Sequence, residues 1–286
     1  MACLALNLEK GDWLWTSPNT FVASANCGLY CNAKVDFVDI DEKTHNISVL
    51  ALKKKLVKAK KNNKLPKIVI PVHFSGQSCD MRQIYSLSKK YGFKIIEDAS
   101  HALGGKYFKS KVGSCKYSDI TVFSFHPVKI ITTGEGGIAT TNKKRLFDKM
   151  QLLRAHGITR DLKLMSQKPD GDWFYQQKIL GFNYRMTDFQ AALGMSQFKR
   201  LKKFVSYRNK IVKFYDKSLK DSGWILPYIE KNKYSACHLY VVRLPKKLIR
   251  YKKKIFSFLR KKNIGVNVHY IPVHTQPYYK NNKITY

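Results

Sequence analysis

Negative charge is scarce in this chain: 19 Asp and Glu stand against 53 Lys and Arg, leaving a formal net charge of +34 over 286 residues. Such an imbalance suits nucleic acid, an anionic membrane or an acidic substrate. The lysines, however, are spread over Lys53 to Lys67, Lys199 to Lys203 and Lys252 to Lys262, with no aromatic-interleaved nucleic-acid motif. They read as solvated faces, which a lysine-biased genome would also produce, so no nucleic-acid partner is expected. Cysteine is sparse as well. Cys3, Cys27, Cys31, Cys79, Cys115 and Cys237 form neither a CxxC pair nor a Cys/His cluster, which argues against both a zinc site and a disulfide framework. Cys27 and Cys31, at helical spacing in an apolar context, read as core residues of a reducing compartment. No apolar run approaches the ~18 residues of a membrane span, and Met1 to Leu6 lacks a basic leader. A cytoplasmic protein without a membrane partner is expected. Internal repeats and low-complexity tracts, lysine bias aside, are also lacking.

What is present is a hydrophobic fraction of 44%, enough for a sizeable core. Strand-like runs at Ala33 to Ile40, Lys67 to His73 and Phe93 to Glu97 alternate with helical patterns at Ser48 to Lys60 and Met81 to Tyr91. That alternation predicts a parallel, helix-flanked sheet. Strands at Asp119 to Phe125 and Gly137 to Thr140 follow, then a helix from Lys143 to Ala155 and a loop from Thr159 to Asp172. Met186 to Leu219 reads as a long helix, broken or continuous, leading out of the large domain. A strand at Cys237 to Leu244, a helix at Lys247 to Lys261 and a strand at Ile264 to His269 predict a smaller second domain.

Two residues concentrate the chemistry. One apolar strand delivers Asp98 to its carboxyl end, and a second delivers Lys129 just beyond its own. In an open α/β sheet those ends face the ligand crevice. A lysine able to hold an aldehyde covalently, with a carboxylate to keep a ring nitrogen protonated, is the pair that pyridoxal phosphate chemistry uses. The plain alternative is that Asp98 caps the next element and Lys129 is one more surface lysine.

The flanking residues favour the first reading. Glu97-Asp98-Ala99-Ser100-His101-Ala102-Leu103-Gly104, Phe123-Ser124-Phe125-His126-Pro127-Val128-Lys129 and Thr132-Thr133-Gly134-Glu135-Gly136-Gly137 occur in that order. Together they resemble the DegT/DnrJ/EryC1/StrS family, the sugar aminotransferase branch of the fold-type-I pyridoxal phosphate enzymes. The segments Thr16 to Ser24, Val35 to Asp41, Gly181 to Gly194 and Val268 to His274 extend the resemblance over nearly the whole chain. Within the family, the motifs most resemble the transaminases of pseudaminic acid synthesis. The resemblance implies an α/β fold-type-I transferase: a large domain, 1–205, with a mostly parallel sheet, and a smaller α+β domain, 206–286, both incomplete. It further implies a homodimer that aminates C4 of a UDP-linked 4-keto-6-deoxy sugar, with L-glutamate as donor. Some excess positive charge suits the two phosphates of such a substrate.

Roles follow from the same resemblance. Lys129 would hold pyridoxal 5'-phosphate and move the proton, and Asp98 would face the ring nitrogen. His101 would lie near the ring's phenolic oxygen and Phe21 would stack on the ring. Ser124 would hold the phosphate, and Asn183 would reach the phosphate in a neighbouring subunit. His269 and Tyr270 would lie near the sugar nucleotide. Family relatives that dehydrate carry histidine at the position of Lys129, so the lysine favours transamination.

The apolar, uncapped start at Met1-Ala2-Cys3-Leu4-Ala5-Leu6 reads like the inside of a helix. Against the family, a preceding segment with a phosphate-binding Ser-Gly-Thr turn and part of the small domain are expected to be missing. Weakened cofactor binding and poor stability would follow. A catalytically inactive homologue or scaffold is therefore the first alternative function, and a basic nucleic-acid-binding module the second.

Overall fold

The computed structural model describes residues 1–282 and 284; Tyr286, the expected end of the second domain, lies outside them. Its centre is a six-stranded sheet. The strands are β1 (Trp13–Thr16), β2 (Lys34–Phe37), β3 (Ile68–Ile70), β4 (Lys94–Asp98), β7 (Ile120–Ser124) and β8 (Gly137–Thr140), in the order β2-β1-β3-β4-β7-β8. Short strands β5 (Lys106–Tyr107) and β6 (Ser110–Lys111) fall between β4 and β7 in sequence and belong to a separate small sheet. All neighbours in the large sheet pair parallel except β7 and β8. The chain reverses its direction of travel between β1 and β3, the topological switch at which such sheets bind ligands.

Successive side chains on a strand point to opposite faces, and the core divides accordingly. Leu14, Ile68, Ile70, Ile96 and Ile120 pack on one side with helices α1 (Ala2–Ala5), α2 (Ala23–Leu29) and α5 (Lys144–Arg154). Trp15, Val69 and Ile95 pack on the other with α3 (Val49–Lys61) and α4 (Met81–Tyr91). The central strands are thus buried on both faces, which is why they read as apolar runs rather than alternating ones, while the edge strand β8 is partly exposed. Local signals set the helix ends. Ser48 accepts from the backbone of Ala51 at the start of α3, and Asp80 caps α4, which ends at Gly92 with φ 82°.

Beyond the sheet, β9 (Ile158–Thr159) and β10 (Gln176–Gln177) form a two-stranded ribbon around the expected loop. The long helix is broken at Lys199–Arg200 into α6 (Asp188–Phe198) and α7 (Leu201–Ser218), with Thr187 and Gln190 forming a capping box. The last part carries β11 (Lys233–Tyr234), α8 (Lys252–Lys261) and α9 (Pro277–Asn281).

Two expectations fail here. Neither Cys237 to Leu244 nor Ile264 to His269 is a strand. β11 instead pairs with β5, and the backbone that follows bonds to a turn: Ala236 N to Gly76 O (3.0 Å) and His238 N to Ser75 O (2.9 Å). An apolar run becomes a strand only where a neighbouring strand takes its hydrogen bonds, and among the described residues none lies beside 264–269. β1 is the opposite case: a central strand, buried at all four residues, where no strand was expected.

Candidate active site

The carboxyl edge of the sheet carries the candidate residues. β4 ends on Asp98, whose two oxygens are both engaged. Oδ2 accepts from Ser24 Oγ at 2.5 Å, while Oδ1 accepts from Ser100 N at 3.1 Å and Ser100 Oγ at 2.6 Å. Ser24 lies in the first turn of α2 and is itself paired with Thr20 Oγ1 at 2.8 Å. The carboxylate is therefore aimed by the helix that follows β1 and by the turn that follows β4.

Lys129 lies in the loop after β7. Phe125 N donates to Gly136 O (2.8 Å) and Thr133 N to Phe125 O (3.0 Å), closing the loop at its base. Next to the lysine, buried Ile130 packs with Val205 and Ala236. Partial burial lowers the Lys129 pKa below the ordinary lysine range, and the charge of Asp98 acts in the opposite direction. The two groups thus feel each other, and the amine spends more time neutral than a solvated lysine does.

Behind them is a compact ring cluster. His101 is buried; its Nδ1 accepts from Ser75 N at 3.3 Å and its Nε2 is 3.2 Å from the Tyr270 hydroxyl. The His238 ring lies 4.5 Å from that of His101, and Tyr270 lies nearly parallel to it at 6.4 Å. Tyr270 N donates to Asn19 Oδ1 at 3.0 Å, which ties this part of the chain to the loop after β1. Burial, reinforced by the positive charge of Lys129, pushes His101 down to about 3. Burial together with His101 and Lys129 pushes His238 to about 2. His269 is lowered by burial and Lys129, and Tyr270 is raised to about 12 by burial and Asp98. These are neutral groups around one lysine.

The other expected residues are more dispersed. Ser124 ends β7, its hydroxyl accepting from His126 N at 3.3 Å. Phe21 is 63% exposed, with its ring unstacked on any described residue. Asn183 is exposed and accepts from Arg185 Nε at 3.1 Å. Its neighbours Tyr184, Arg185 and Met186 line a cleft of about 570 Å³ with Ser24, Asp98 and Ser100. Sequence reasoning did not single out Ser24, Ser100, Ser75 or His238. Ser100, two residues after an aspartate, carries the signature of an Asx turn; the other three are recognisable only once distant segments meet.

The match to the DegT/DnrJ/EryC1/StrS aminotransferase family model runs over residues 1–285. The chain belongs to this family. Among its curated members, the UDP-4-amino-4,6-dideoxy-N-acetyl-beta-L-altrosamine transaminase of Campylobacter jejuni is 40% identical over 281 residues, covering 98% of this chain and 70% of the relative. The aminotransferase PseC of Helicobacter pylori, involved in pseudaminic acid biosynthesis, superposes with a TM-score of 0.85 at 31% identity, over 98% of this chain and 73% of that one. The sugar aminotransferase Spr1654 of Streptococcus pneumoniae in its PLP form gives 0.84 at 28% identity, over 98% and 72%. DegT-family aminotransferases are PLP-dependent, and the α/β fold described above is theirs. No helix among the described residues is long and apolar enough to cross a membrane.

Proposed function

We propose that this chain is a pyridoxal-phosphate-dependent aminotransferase that converts a UDP-linked 4-keto-6-deoxy sugar to its 4-amino counterpart. L-Glutamate is the donor, and the product feeds cell-surface glycan synthesis in the cytoplasm. The observation that carries this reading is the convergence, at the carboxyl ends of β4 and β7, of a triply hydrogen-bonded carboxylate and a half-buried lysine of lowered pKa. These residues fit the cofactor. A carboxylate held on both oxygens is suited to a protonated ring nitrogen, and a partly neutral amine is suited to an aldehyde carbon. When bound, pyridoxal phosphate supplies an electron sink.

The chain's own groups do the remaining work. Lys129 Nζ would hold the cofactor aldehyde and, once freed, would serve as the proton-transfer base; its lowered pKa favours the neutral form that both roles need. Asp98, held on both oxygens, would keep the ring nitrogen protonated. Ser124 Oγ, beside the lysine loop, serves the phosphate. Phe21, whose ring is exposed, would stack on the cofactor. His101 and Tyr270 serve the ring's oxygen side, and His269 and Tyr270 the sugar nucleotide. Asn183, exposed on its own chain, would reach the phosphate in a partner subunit. A homodimer is supported by the apolar groups left uncovered around this segment: Phe189 is 91% exposed, Leu180 86% and Trp173 71%.

The test supplies protein, pyridoxal phosphate, L-glutamate and the UDP-linked 4-keto sugar, and follows 2-oxoglutarate. Release that requires both the sugar and Lys129 is expected. Release unchanged in Lys129→Ala would overturn the mechanism, and none from a wild-type protein with cofactor attached would overturn the substrate assignment.

A further inference from the structure

The turn Phe74–Gly76 is backbone held against its preference. Ser75 has φ 60° and ψ 0°, a left-handed conformation that residues with a side chain rarely adopt. Gly76 follows at φ 108°, and a Cβ there would lie 2.8 Å from Cys237 N and 3.0 Å from His101 O. Every polar group this conformation turns outward is used. Ser75 N donates to His101 Nδ1 (3.3 Å), Ser75 Oγ donates to Leu239 O (2.6 Å), and Ser75 O accepts from His238 N (2.9 Å). Gly76 O accepts from Ala236 N (3.0 Å). On the far side, Arg208 of α7 donates to the carbonyl of His238 at 3.2 Å. The turn therefore clamps His101 on one side and the 236–239 segment on the other, and this is what brings the two imidazoles to 4.5 Å.

The polarity of the first of these bonds decides a protonation pattern. A backbone N–H can only donate, so His101 Nδ1 must present a lone pair. A neutral imidazole with a bare Nδ1 carries its proton on Nε2. That proton points at the Tyr270 oxygen, 3.2 Å away. Once the tyrosine oxygen accepts from His101, its own proton is left to give to a ligand oxygen.

We propose that Ser75 and His238 are positioning residues for His101, fixing its Nε2–H tautomer and so making Tyr270 the hydroxyl donor of the site. Ser75 sets which nitrogen is bare. His238, itself buried with an Nδ1 that finds no hydrogen-bond partner among the described residues, lies over the ring and keeps it from turning or meeting water. The titratable or charged groups facing His101 are His238, Lys129, His269 and Tyr270. Lys129 and His269 both disfavour a second proton on it, as does its burial. The ligand that Tyr270 would serve, a carbonyl or anionic oxygen of the cofactor or the keto sugar, rests on the aminotransferase reading; the tautomer does not.

The test is nitrogen NMR of ¹⁵N-histidine-labelled protein without cofactor, for wild type, His238→Phe and His238→Ala, with His101→Gln to assign the resonances. In the wild type, His101 should show a bare Nδ1 and a protonated Nε2, and stay neutral on acidification to near its lowered value of about 3. His238→Phe keeps a ring over His101 and should leave both properties unchanged. His238→Ala should mix the tautomers and raise the titration midpoint. A proton on Nδ1 in the wild type would overturn the proposal. So would an unchanged His101 in folded His238→Ala or, should that variant not fold, a changed tautomer in His238→Phe. Attachment of pyridoxal phosphate to Lys129, measured in the same samples, separates the two claims. An unlocked His101 beside a reactive Lys129 removes the positioning role alone, and a locked His101 beside an inert lysine removes the aminotransferase reading alone.

Discussion

Ser24→Ala removes one of the three donors that hold Asp98, and its cost can be worked from the geometry. The Ser24 Oγ to Asp98 Oδ2 contact is 2.5 Å, and a hydrogen bond to a charged group contributes roughly 1.5–3 kcal/mol. Asp98 is half-buried, so water can replace part of the loss, and the lower end, about 1.5 kcal/mol, applies. That is about a tenfold change in the folding equilibrium, or a fall in melting temperature of about 3–6 °C for a domain of this size. Ser24 is also bonded to Thr20, at 2.8 Å, so the single variant reports two contacts. The assay is therefore a double-mutant cycle of Ser24→Ala and Asp98→Ala by urea unfolding, which isolates the Ser24–Asp98 coupling. A coupling near 1.5 kcal/mol is expected. Additivity within about 0.5 kcal/mol would refute the claim that α2 aims this carboxylate.

The remaining predictions concern charge and close packing. Capture of pyridoxal phosphate by Lys129 requires the neutral amine, so its rate should rise with pH to a midpoint below the 10.5 of an ordinary lysine. In Asp98→Asn the midpoint should fall further, because the opposing charge is gone; an unchanged midpoint would separate the two residues. Burial works to raise the pKa of Glu97, but its bonds to His73, Ser118 and Thr121 outweigh this and hold it below its unfolded value of 4.5. The stability it contributes is thus fully present above that value and lost as pH falls through the lower folded pKa. Urea midpoints should show this acid loss in the wild type and a flatter profile in Glu97→Gln. Gly76→Ala should destabilise by about 1–3 kcal/mol, since its Cβ would meet the backbone of residue 237 at 2.8 Å. A variant as stable as the wild type would contradict the packed turn.

Legibility in the sequence followed the source of each element's hydrogen bonds. The β3, β4 and β7 runs were readable because apolar continuity is what burial on both sheet faces demands. α4 was readable to the residue because a cap at Asp80 and a left-handed glycine at Gly92 mark its ends. The runs at 237–244 and 264–269 have the composition of strands, but a strand is a property of two segments and sequence supplies only one. Asp98 and Lys129 were visible because one ends a strand and the other lies in the loop just after one, which fixes the edge each reaches. Ser75 and His238 were not visible, since neither means anything without the turn that joins them to His101. Phe21 and Asn183 came from family motifs alone. Their exposure on a single chain fits groups that act on a ligand or across a subunit boundary, which no local pattern records.

The central claim is that Lys129 is the residue that takes the cofactor. The most direct measurement incubates the purified chain with pyridoxal phosphate, reduces with borohydride and locates the attached group by peptide mass spectrometry, with Lys129→Ala alongside. Given the 43 lysines of this chain, selectivity is the informative readout. Stoichiometric attachment at Lys129, absent from the variant, is predicted. Label scattered over the surface lysines, with Lys129 no more modified than the rest, would contradict the account.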